Sequence, residues 1–87
     1  METKAPLRYA ESRRKHFVSD LCELVRIPSC SFPGHPAAEV ERSAKAVAAY
    51  LKGVGLEGIR TLRLPGVHPY VYAEWLGAKG APTLLLY

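Results

Sequence analysis

Among its 87 residues the chain has only two cysteines, one methionine and one tryptophan. Two cysteines, Cys22 and Cys30, cannot build the disulfide framework of a small secreted fold. The first residues are charged and lack the apolar stretch of a secretory signal, so the expected compartment is cytoplasmic, with both thiols free in a reducing cytosol. No apolar run approaches the ~18–20 residues of a membrane span, and no membrane partner is expected. Internal repeats and low-complexity segments are also lacking.

Histidine is scarce: His16 falls in a helical stretch, while His35 and His68 each precede a proline. His35 and His68 could be brought together, but no cysteine or carboxylate stands at metal-ligand spacing to either. Cys30 with His35 as base is the one conceivable nucleophile pair; a loop thiol without a role is the simpler reading, and Cys22 is expected in the core. Ser29 and Ser31 lack a nucleophile-elbow pattern. Gly53, Gly55 and Gly58 follow a helix rather than a strand, so they do not form a phosphate loop. The residues therefore assign no catalytic, cofactor-binding or metal-binding position in this chain.

The net charge is +4, from 12 basic and 8 acidic residues. The basic residues are dispersed, and the only cluster is Arg13-Arg14-Lys15. Nucleic-acid recognition would need that cluster to join a broader basic face with stacking groups, so no nucleic-acid partner is expected.

What is present is amphipathic order. Leu7, Ala10, Phe17, Leu21 and Leu24 recur at helical spacing, widened by Val18, Cys22 and Val25, and predict a helix over about 6–26. Pro28 biases Ile27 away from helical dihedrals and should end it, leaving Ile27 buried as an anchor. Residues 29–36, with two prolines and a glycine, form a loop. A second helix is expected over 37–52, burying Val40, Ala44, Val47, Ala48 and Leu51, with Gly53 or Gly55 as its left-handed stop. Strands follow at about 59–64, 70–76 and 83–87. In the second, Val71, Ala73 and Trp75 point one way and should meet a helix at Val47 or Leu51. The last, Thr83-Leu84-Leu85-Leu86-Tyr87, has no polar alternation and reads as a parallel strand buried on both faces. The layout is α/β: helix, helix, strand, strand, strand, the opening of a larger domain.

Three stretches carry a family likeness over nearly the whole chain, in order. Leu24-Val25-Arg26-Ile27-Pro28-Ser29 resembles the helix exit of zinc-dependent exopeptidases, the group of carboxypeptidase G, aminoacylase, succinyl-diaminopimelate desuccinylase and the carnosine-type dipeptidases. His68-Pro69-Tyr70-Val71-Tyr72-Ala73-Glu74-Trp75 resembles a strand of the dipeptidase branch, and residues 77–87 resemble the loop and strand after it. The resemblance implies a three-layer α/β/α peptidase domain of which residues 1–87 are the incomplete N-terminal part. It implies a parent that hydrolyses dipeptides or related short amides with two zinc ions, in a homodimer formed through a downstream lid domain. The family's first metal motif, Gly-His-x-Asp, would begin directly after Tyr87, so no ligand carries over and the segment alone is expected to be inactive. The alternatives are a non-enzymatic interaction module on the same fragment and, more remotely, a small nucleic-acid-binding protein.

Overall fold

A computed structural model describes residues 3–87 as three helices and a two-stranded antiparallel sheet. Helix α1 spans Lys4–Ser12, α2 Arg14–Val25 and α3 Ala37–Gly53; strands β1 and β2 span Glu57–Leu62 and Tyr70–Glu74. No helix is long and apolar enough to cross a membrane among the described residues.

The single helix expected over 6–26 is two helices that meet at Arg13. Ser12 Oγ donates to the Tyr9 carbonyl at 2.8 Å, and the Arg13 N–H is shared between the Tyr9 and Ala10 carbonyls at 3.0 and 3.3 Å. A serine hydroxyl that bonds back onto the preceding turn competes with the backbone ladder and bends it. Beyond the break, the Tyr9 and Phe17 rings lie 6.4 Å apart and the Arg13 guanidinium sits 5.9 Å from the Tyr9 ring centre.

The exit of α2 follows the proline rule: the helix stops at Val25, with Pro28 just beyond. Ile27 is half-buried rather than enclosed, at the edge of a crevice between α2 and α3 that also includes Asp20, Leu24 and Tyr50. Leu7, Leu21, Val25 and Cys22, expected in the buried stripe, are exposed. Only α3 packs against α2 from another layer, and it meets the Asp20–Leu24–Ile27 side.

Helix α3 keeps its predicted stripe: Val40, Ala44, Val47, Ala48 and Leu51 are all half-buried. It ends in a Schellman motif, with Gly55 at φ +96°, its N–H on the Lys52 carbonyl, and the Leu56 N–H on the Leu51 carbonyl, both at 3.1 Å. These bonds satisfy carbonyls left over at the helix end and turn the chain into β1.

The register pairs Arg60 with Tyr72, Thr61 with Val71 and Leu62 with Tyr70; a bulge lies between Glu57 and Arg60, where Gly58 has φ +60°. A glycine in that conformation at the first bulge position inserts one extra residue and sharpens the strand's twist. Helix α3 packs on both strands. Arg63, on the same side as Thr61, reaches Glu41 of α3, so that side of the hairpin faces the helix.

Two expectations fail here. Trp75 lies beyond β2 and is 58% exposed, with its indole folded over Gly77 rather than against α3. Residues 83–87 form no strand: the segment has no regular structure, and Leu84, Leu85 and Leu86 are 80–84% exposed. An all-apolar strand needs cover on both faces, and nothing among the described residues packs over it. No described side chain is fully enclosed, so the two layers form a thin shared interface rather than a core.

Candidate functional site

One concavity lies between two turns of the same build. Phe32-Pro33-Gly34-His35 closes with the His35 N–H on the Phe32 carbonyl at 3.3 Å, and Gly34 has φ +92°. Leu64-Pro65-Gly66-Val67 closes with the Val67 N–H on the Leu64 carbonyl at 3.4 Å, and Gly66 has φ +76°. Proline at the second position fixes its φ, and glycine at the third takes the positive φ that a type II turn requires. The turns face each other across a groove of about 600 Å³ lined by Phe32, His35, Val67, His68, Pro69 and Tyr70 among others.

The groove unites the two histidines that the sequence left apart. His68 Nε2 lies 3.3 Å from the Ser31 carbonyl oxygen, a contact that pins the β1–β2 turn to the loop between α2 and α3. His16 stays apart on exposed α2. Cys30 is half-buried in the loop.

Beside the groove, Glu41 of α3 accepts two bonds from the Arg63 guanidinium, at 2.6 and 2.8 Å. That pairing, aided by the charges of Lys45 and His68, holds the Glu41 carboxyl below its ordinary range, while Arg63 is pushed up by the same bond. Glu41 is thus committed as an acceptor to a permanently charged donor and is unsuited to take a proton from a substrate.

A second polar array occupies the opposite face of the hairpin. The Arg60 guanidinium lies 4.7 Å above the Tyr72 ring centre, and the Tyr72 hydroxyl donates to Glu74 Oε2 at 2.7 Å. The bond to the carboxylate raises the Tyr72 hydroxyl above its ordinary value; Arg60 pulls it the other way. Between α2 and α3, Tyr50 is raised first by loss of solvent and then by its bond to Asp20.

Among the described residues, no group of three or more histidine, cysteine or acidic side chains could hold a metal ion. Two imidazoles in one groove, without a carboxylate or thiolate to join them, fall short of the three protein ligands of a catalytic zinc. The described residues therefore gather no donor set for a two-zinc centre.

The sequence reading missed the groove because its walls come from segments more than 30 residues apart. The available signal was the repeated Pro-Gly-x pattern, Pro33-Gly34-His35 and Pro65-Gly66-Val67, with an imidazole at or next to its end. No protein-family model, curated protein or solved structure matches this chain.

Proposed function

We propose that the chain is the N-terminal structural segment of a two-zinc metallopeptidase that hydrolyses dipeptides or related short amides, and that it has no catalytic activity by itself. The ordered likeness of three stretches, 24–29, 68–75 and 77–87, to the dipeptidase branch of the zinc exopeptidases carries this reading. In this reading the mixed α/β unit is one corner of a three-layer domain, and the apolar segment 83–87 is a strand that the rest of that domain would cover. The strong exposure of Leu84, Leu85 and Leu86 supports it, since such a run is stable in water only when both faces are covered. In this reading both zinc ions would be held by residues outside this sequence.

The exposed apolar surface also favours a second reading, a non-enzymatic interaction module on the same fragment. The reading frame after the Tyr87 codon in the gene separates the two. Gly-His-x-Asp in frame supports the peptidase segment. An unrelated continuation, or a stop with no such motif downstream in any frame, overturns it.

A further inference from the structure

Two imidazoles and a backbone carbonyl meet at the groove between the Pro-Gly turns, and the peptidase reading gives them no task. His35 and His68 both line the groove. Each stands at or next to the end of a turn whose proline fixes one φ and whose glycine takes the positive φ. The backbones that carry the two rings are therefore held in set conformations. His16, the remaining histidine, is exposed on α2 and does not line the groove.

His68 Nε2 lies 3.3 Å from the Ser31 carbonyl oxygen, across 37 positions of sequence. That is longer than the usual ~2.9–3.0 Å of an N–H···O bond. It is also a separation that two ligands of one ion adopt: donors ~2.0–2.1 Å from a metal stand about 2.8–3.4 Å apart at right or tetrahedral angles. Imidazole nitrogen suits the late first-row divalent ions, and Cu²⁺ heads their affinity order. No lysine or arginine lines the groove to repel a cation, and the Glu41 carboxylate acts on His68 electrostatically.

We propose that the groove takes a divalent transition-metal ion, held by the imidazoles of His35 and His68 and the Ser31 carbonyl, with water completing the shell. A main-chain oxygen is the third donor, so the site does not need the three ligating side chains that the described residues nowhere gather. The ion is a clip between the loop after α2 and the β1–β2 turn, and a metal that closes a long loop is well placed to stabilise a fold. It is not a hydrolytic centre, because Glu41, the carboxylate beside the groove, is committed to Arg63 and cannot serve as a base for a bound water. All the donors lie within residues 31–68, so the inference depends neither on the peptidase reading nor on what covers segment 83–87.

The test is titration of the full 87-residue chain with Cu²⁺ alone in a non-coordinating buffer, followed by calorimetry and by paramagnetic broadening of the histidine ring signals in NMR spectra. One ion per chain is expected, with the His35 and His68 signals lost together and the His16 signals lost only at higher metal. His35→Ala and His68→Ala should each raise the dissociation constant at least about tenfold, while His16→Ala leaves it unchanged. His68→Gln keeps a donor for the Ser31 carbonyl but loses the imidazole, so it should melt like the metal-free wild type and bind Cu²⁺ as weakly as His68→Ala. The proposal is overturned if all three histidines broaden in parallel, if either groove alanine variant binds Cu²⁺ as tightly as the wild type, or if no ion binds at millimolar Cu²⁺.

Discussion

Arg63 grips Glu41 with both terminal guanidinium nitrogens, Nη1 to Oε1 at 2.6 Å and Nη2 to Oε2 at 2.8 Å, across 22 positions of sequence. The pair ties the chain just past β1 to α3. It lies beside the groove, so it holds in place the layer that carries His68.

Because Arg63 lowers the Glu41 carboxyl in the folded chain, the pair stabilises the fold above the ordinary carboxylate value of 4.5. That contribution is lost as pH falls through the lower, folded value. Thermal melts of Glu41→Gln should therefore show a smaller loss of stability between neutral and acid pH than the wild type. Both side chains are partly exposed, so 1 M salt should narrow the difference at neutral pH.

Gly55 and Gly53 should respond to alanine with opposite signs. Gly55 sits at φ +96°, where an L side chain is strained despite open space around it. Gly55→Ala should cost roughly 1–2 kcal/mol. Gly53 is within α3 and its Cβ would meet nothing within 4 Å, so Gly53→Ala should add about 0.5–1 kcal/mol. Chemical denaturation followed by circular dichroism reads both, and equal signs would refute the Schellman assignment.

The Arg60–Tyr72–Glu74 array predicts a pair of shifts in the tyrosine ring titration, followed by NMR. The hydroxyl of Tyr72 is held above 10.0 chiefly by Glu74 and lowered by Arg60. Glu74→Gln should move its ionisation down, and Arg60→Ala should move it up. A raised folded value means that this stabilisation is present below about pH 10 and is lost as pH rises through the folded value.

The chain alone should bind no catalytic zinc and hydrolyse no dipeptide. Calorimetric titration with zinc and a dipeptide assay on the same sample check this together. Stoichiometric binding tighter than micromolar, or turnover that survives repurification and is abolished by chelation, would place an active site within these 87 residues.

Of the candidate site, the sequence showed the parts but not the assembly. His35 and His68 stood out as the two imidazoles before prolines, and Pro33-Gly34 fell in a segment legible as a loop. Their meeting across one groove depends on α3 packing against the hairpin, a contact that no local pattern encodes. The Arg63–Glu41 clamp was invisible for the same reason: on sequence alone both residues read as ordinary surface charges.

The sequence by itself determined what depends on neighbours within one or two turns of chain. The 3.6-residue period placed α3 and its buried stripe, Pro28 lay just beyond the end of α2, and the stop of α3 was narrowed to Gly53 or Gly55, of which Gly55 takes the positive φ. Dihedral preference and amphipathic period are local properties, so they survive whatever packs around them. The tertiary structure alone decided burial. It left Cys22 and Leu21 in solvent, carried Trp75 off the sheet, and left 83–87 without a ladder. An apolar residue records a preference for cover, but cover is supplied by other segments, and two thin layers provide it only along α3 and the hairpin face beneath it.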